Sequence, residues 1–163
     1  MTSEHLLHTI PPIYDGNSKI LILGSFPSVK SREVSFYYGH PQNRFWRVLA
    51  AVLGCAVPSS NEEKTALLQS HNIALWDVIK SCDIVGSSDS SIKNVVPNDI
   101  GAILSSCGIR QIYSNGKTSE KLFNKYIKDT VGRDTVALPS TSPANASYNL
   151  CLLYTSPSPR DCS

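Results

Sequence analysis

Two stretches of this chain gather residue types that can do chemistry. The first is Gly24-Ser25-Phe26-Pro27-Ser28 and, further on, Tyr37-Tyr38-Gly39-His40-Pro41-Gln42-Asn43-Arg44-Phe45-Trp46; the second is Leu138-Pro139-Ser140-Thr141-Ser142-Pro143-Ala144-Asn145. In the first, the His40 imidazole could stabilise negative charge or contact a phosphate, although a lone histidine more often serves as a structural hydrogen-bonder. In the second, hydroxyls at Ser140, Thr141 and Ser142 precede a helix start after Pro143. Such hydroxyls, with exposed backbone N–H groups, suit a phosphate; the plainer reading is a Ser/Pro loop with an N-cap. Ser25 and Ser28, either side of Pro27, fit the same phosphate side. Asp77 and Asn115 each close an apolar run. Asp77 could contact a ligand or water, or pair with a basic neighbour. Asn115-Gly116 is also an ordinary turn signal. Arg32, Arg44 and Arg47 could reach phosphates, with a solvated helix face as the default for any one of them.

The elements that must position these groups read as alternating strands and helices. Lys19-Ile20-Leu21-Ile22-Leu23 ends at Gly24 and suits a strand buried on both faces. Asn43 is a good N-cap for a helix carrying Phe45, Leu49, Val52 and Leu53 on one face and ending near Gly54. Ser60-Asn61-Glu62-Glu63 is a capping box opening a second helix with Leu67 and Leu68. Ile73 to Ile79 reads as the second strand, followed by an exposed polar loop from Gly86 to Ser91. Pro97-Asn98-Asp99 is expected to start a helix with Ile100, Ile103 and Leu104, stopped by Gly108. Arg110 to Ser114 is the third strand, Leu122, Phe123, Tyr126 and Ile127 mark a helix, and Thr135 to Leu138 is the fourth strand. This order predicts an α/β fold, a three-layer α/β/α arrangement with a central four-stranded, mainly parallel sheet. In such sheets ligands bind beyond the carboxyl ends of the strands, where Gly24, Asp77, Asn115 and Ser140 fall.

The 163 residues suffice for one domain with its own core, and 41% apolar against 17% charged residues reads as globular. A net charge of +2 neither announces nor excludes a nucleic-acid partner. Five cysteines, at 55, 82, 107, 151 and 162, form no CxxC pair and are expected to be reduced thiols rather than metal ligands. No signal peptide is visible in MTSEHLLHTIPP and no run approaches transmembrane length, so a cytoplasmic setting without membrane contact is expected. From Cys151 onward the chain has no helical period and two prolines, Pro157 and Pro159. It resembles the translation of an adapter used in transposase-based sequencing. The expected organisation is one domain over 1–150, its C-terminal helix, begun at Ala144, truncated, and a non-native tail over 151–163.

Together the two motifs resemble those of the uracil-DNA glycosylase superfamily, most closely its hypoxanthine-DNA glycosylase branch (family 6, acting on deoxyinosine). The resemblance includes Ala74-Leu75-Trp76-Asp77-Val78-Ile79 and runs from about Lys19 to Asn145. It implies an enzyme that flips a deaminated base out of DNA and hydrolyses its N-glycosidic bond. Tyr38 matches the position where the related mismatch-specific enzymes stack an aromatic on the flipped base; the plainer alternative is a loop-anchoring tyrosine. Many members of the superfamily place Asn or Asp two residues after the motif glycine to hold the attacking water. Here that residue is Phe26, which cannot hydrogen-bond through its side chain. Another amide must take over, and Asn43, matched in the family-6 His-Pro-Gln-Asn string, is the candidate, either beside or instead of a capping role. His40 is the second catalytic candidate. Gly24, Ser25, Phe26, Pro27, Tyr38, Asp77 and Asn115 are expected around the base, Asn115 as an amide reading its edge. Ser28, Arg44, Ser140, Thr141, Ser142 and Pro143 are expected on the DNA, the second motif also as a minor-groove wedge.

The implied partner is double- or single-stranded DNA containing a deaminated base, met by a monomer with no cofactor or metal and no lysine placed for lyase chemistry. Two alternatives stand beside hypoxanthine excision. One keeps the fold and takes uracil or other mismatched bases, against which Phe26 argues. The other is a non-catalytic nucleotide- or DNA-binding α/β module, which should show a glycine-rich phosphate loop that Gly24-Ser25-Phe26-Pro27 does not supply.

Overall fold

In the computed structural model of the chain, residues 4–8, 10–26, 36–38, 43–85, 91–139 and 141 are described. Ile20–Gly24 (β2) lies inside a four-stranded sheet, flanked by Ile73–Asp77 (β3) on one side and Gln111–Asn115 (β6) on the other, with Val136–Leu138 (β7) at the far edge. Every pairing in this sheet is parallel. The uninterrupted apolar run of β2 follows from burial on both faces, since successive side chains point opposite ways. Ile22 packs with Ile73, Leu75 and the helices Phe45–Leu53 (α1) and Asn61–Ser70 (α2) through Phe45, Trp46, Leu49 and Leu68. Leu21 and Leu23 pack on the other face with Ala74, Ile112 and the helices Ile100–Ser106 (α3) and Lys117–Tyr126 (α4) through Ile100, Ile103 and Phe123. These are the three expected layers. Each fully buried Leu, Ile or Phe among them contributes about 1.5–3 kcal/mol.

Local signals act largely as read. Ser60 Oγ accepts from the Glu63 N–H at 3.1 Å while Glu63 Oε2 accepts from the Ser60 N–H at 3.3 Å, a complete capping box for α2. Gly54 ends α1 at φ +70°, where a side chain would be strained. The apolar face of α1 is narrower than expected, because Val52 is 43% exposed.

The sequence reading contains no counterpart of a second sheet. Glu4–Leu7 (β1), Ile79–Ile84 (β4) and Lys93–Pro97 (β5) form an antiparallel sheet in the order β1-β4-β5. Ile73–Ile79 is therefore not one strand. At Val78 the chain passes from one sheet to the other: the Val78 N–H donates to Gly24 O at 2.8 Å and the Ile79 N–H to Ser25 O at 3.1 Å. Buried Asn98 holds the bend by donating Nδ2 to Asp77 O at 2.9 Å and to Ile79 O at 3.1 Å. Pro97 ends β5 rather than starting a helix, and α3 begins at Ile100 with Asp99 Oδ1 accepting from the Ala102 N–H.

No helix among the described residues is long and apolar enough to cross a membrane. The polar loop except Ser91, the helix expected from Ala144 and the segment 151–163 lie outside the described residues.

Candidate active site

The carboxyl ends of β2 and β3 meet in register, Gly24 beside Asp77. The Asp77 carboxylate lies over the bare Cα of Gly24: a Cβ there would collide with Asp77 Oδ1 and stand 3.2 Å from Tyr38 Oη. Glycine is thus required by close approach. Asp77 is buried, and its Oδ2 accepts from Nε2 of His8 at 2.8 Å, with the two side chains 5% and 1% exposed. His8 reaches this position because β1 delivers it there, its own N–H donating to Lys80 O at 2.7 Å. The Phe26 ring stands perpendicular to the His8 ring at 6.0 Å, and Tyr37 tilts against it at 6.1 Å.

Adjacent tyrosines divide two tasks. Tyr37 is a core anchor, its hydroxyl donating to Pro11 O at 2.8 Å and its carbonyl accepting from Trp46 Nε1 at 3.2 Å. Tyr38 adopts φ +52°, unusual for a bulky side chain and costing roughly 1–3 kcal/mol, a strain typical of functional positions. Its ring stacks on Phe45 at 4.1 Å and 17°, leaving the opposite ring face without that neighbour. Its hydroxyl is buried and has no hydrogen-bond partner among the described residues. Burial first, and the nearby Asp77 charge second, push the Tyr38 phenol well above the usual phenol range. Asn115 lies close enough to oppose that shift, but no hydrogen bond of good geometry forms. Tyr37 is raised by the same two causes.

The second motif is stitched to the first through Thr141. Asn115 Nδ2 donates to Thr141 Oγ1 at 3.0 Å, the Thr141 N–H donates to Asn115 Oδ1 at 3.1 Å, and the Arg44 N–H donates to Thr141 O at 3.1 Å. The expected N-cap is displaced by one residue: Arg44 holds that position and makes no side-chain capping bond, while Asn43 stands just ahead of it with Oδ1 accepting from the Phe45 N–H at 2.9 Å. Its Nδ2 has no hydrogen-bond partner among the described residues. This bond uses the oxygen and leaves the amide donors for other work.

A family model described as the uracil DNA glycosylase superfamily matches residues 11–158 of this sequence. The chain belongs to that superfamily. It is similar to a hypoxanthine DNA glycosylase of Methanosarcina barkeri, 36% identical over 137 residues, covering 83% of this chain and 85% of the relative. It resembles a hypoxanthine DNA glycosylase of Methanosarcina acetivorans to the same degree, 36% over 141 residues, covering 85% and 88%. The fold matches the solution NMR structure of a protein from Methanosarcina acetivorans described as a candidate uracil DNA glycosylase, with TM-score 0.75 and 34% identity over 86% of this chain and 87% of that one.

As a member of the superfamily the chain is a DNA glycosylase, and DNA is its substrate. Of the residues singled out from sequence, Gly24, Asp77, Tyr38, Asn115 and Thr141 come together at the strand ends, and Asn43 and Arg44 join them at the start of α1. Ser25 is half-buried behind Gly24. Phe26 packs among Ile79, Cys82 and Ile84 of the small antiparallel sheet. Thr141 is buried, its hydroxyl and N–H both engaged by Asn115. Arg47 is exposed on α1. Pro27, Ser28, Arg32, His40, Ser140, Ser142 and Pro143 lie outside the described residues. The sequence reading missed His8 and the bracing role of Asn98. No motif marks His8; it is found only once β1 is known to pair with β4.

Proposed function

We propose that this glycosylase hydrolyses the N-glycosidic bond of hypoxanthine in DNA, double- or single-stranded, as a monomer in the cytoplasm. The observation that carries the reading is Phe26: where many relatives hold the attacking water with an amide or carboxylate, this chain packs a ring against His8. The two relatives named hypoxanthine DNA glycosylases support the same base.

The water oxygen bonds to the sugar C1′ as the C1′–N9 bond breaks. The electron pair of that bond leaves with the base, and the proton given up by the water balances it, so that the products are the neutral free base and an abasic sugar. The transition state is cationic at the sugar, so an oriented water and a donor toward the departing base are what the protein must supply. The unclaimed Nδ2 donors of Asn43 fill one of these roles, and the Tyr38 ring face turned away from Phe45 stacks on the flipped base, worth roughly 1–3 kcal/mol. His40 assists at the leaving base. Arg44, Ser28, Ser140 and Ser142 hold the backbone phosphates, while Thr141, buried and bonded to Asn115, holds the loop in place.

The test incubates the purified protein with labelled oligonucleotides carrying one hypoxanthine or one uracil, then cleaves abasic sites with alkali. Cutting at hypoxanthine and not at uracil is expected. Cutting only at uracil moves the protein to the uracil and mismatch readers, and cutting at neither removes the proposal.

A further inference from the structure

Asp77 and Tyr38 present an unusual pair of loose ends. The Tyr38 hydroxyl is buried with no hydrogen-bond partner among the described residues, an arrangement that costs free energy unless something else completes it. Asp77 Oδ2 is committed to His8, whereas Oδ1 has no hydrogen-bond partner among the described residues. Both atoms border the point where a Gly24 side chain would stand, at the strand ends where α/β sheets bind ligands. His8 is wedged in place by Phe26 and Tyr37 and by the backbone bond that anchors it to β4. With Nε2 carrying the hydrogen, it fixes the rotation of the carboxylate. It touches no substrate itself.

We propose that His8 is a positioning residue that aims Oδ1 of Asp77 across Gly24 as a fixed acceptor, selecting bases with a ring N–H next to the deaminated carbon. An ionised carboxylate only accepts hydrogen bonds. Deamination changes the neighbouring ring nitrogen from an acceptor into an N–H donor: hypoxanthine carries N1–H where adenine carries a lone pair, and uracil carries N3–H where cytosine does not. A carboxylate held in one orientation therefore attracts the deaminated base and repels its parent. A site left with an unpaired buried acceptor discriminates more strongly than one that merely lacks space. This inference rests on the base-excision reading above and adds what recognises the lesion.

The experiment compares single-turnover excision of hypoxanthine and of N1-methylhypoxanthine, in which the N1 hydrogen is replaced, by the wild type and by His8→Ala, His8→Gln and Asp77→Asn. The wild type is expected to prefer hypoxanthine by at least about tenfold, the factor associated with one hydrogen bond to a charged group. His8→Ala and Asp77→Asn are expected to shrink that ratio toward one, chiefly by slowing hypoxanthine. His8→Gln, which can still donate to Oδ2, is expected to restore much of it. His8→Gln and Asp77→Asn nearly conserve volume, and circular-dichroism melting is used to check that both are folded. A structural role alone would slow both substrates equally, and that result overturns the inference. So does a wild type that takes both bases alike, or a His8→Ala protein with an unchanged ratio. Failure of the wild type to excise hypoxanthine is a separate outcome that removes the underlying activity and this inference with it.

Discussion

The two sheets do different work. The parallel sheet β3-β2-β6-β7, whose strands β2 and β3 are buried on both faces, carries Gly24, Asp77 and Asn115 on its carboxyl ends. The antiparallel sheet β1-β4-β5 has a small core of Ile79, Cys82 and Ile84, with Phe26 packed against it, and delivers His8 to the same point. Stability resides mainly in the first, and the setting of Asp77 depends on the second. A buried histidine–carboxylate pair joins them, and removing one partner of such a pair leaves the other unsatisfied.

That division can be broken from either side. Phe123→Ala, which empties a fully buried position beneath the parallel sheet, is expected to cost about 3–5 kcal/mol, read as a drop in urea midpoint. A midpoint matching the wild type would remove that sheet's primacy. Gly24→Ala should act on the junction. The added methyl must displace the Asp77 carboxylate, and a displacement of about 1 Å near the chemistry costs roughly a hundredfold in rate. The accompanying overpacking is worth about 1–3 kcal/mol. Excision within threefold of wild type would show that the position of Asp77 is unimportant. Ile84→Val, trimming the small core, is expected to cost only about 0.5–1.5 kcal/mol. A larger loss, measured in the same urea series, would mean that the two sheets unfold as one unit.

The difference also explains what could be read in advance. Strands buried on both faces announce themselves as short apolar runs, so Ile20-Leu21-Ile22-Leu23 and its parallel neighbours were legible. β4 was not, because its burial neither alternates cleanly nor runs on, and its register shifts between Ile79 and Ser81 and again before Asp83. Ile79 continued the apolar pattern of β3 so well that the bend at Val78 left no trace; it depends on Asn98, a residue from twenty positions away. β1 is four residues long and gains its structure only from pairing with β4, which is why His8 stayed invisible. At the site, the motif strings contain Gly24, Tyr38, Asn43 and Thr141, which the structure brings near one another, with Thr141 buried against Asn115 rather than facing outward. The partners of Asn115 and Asp77 needed coordinates, since both contacts join segments distant in sequence.

The use of Asn43 in place of the missing amide at position 26 is tested most directly by Asn43→Ala. DNA binding is measured by fluorescence anisotropy, and single-turnover excision is followed on a hypoxanthine duplex. Binding should stay within a few-fold while excision falls at least about tenfold, near 1.4 kcal/mol of barrier. Loss of the single bond from Asn43 Oδ1 to the start of α1 costs only about 1 kcal/mol of stability, so the protein remains folded for the assay. Excision at the wild-type rate would contradict the assignment and return the search for the water-holding group to the rest of the site.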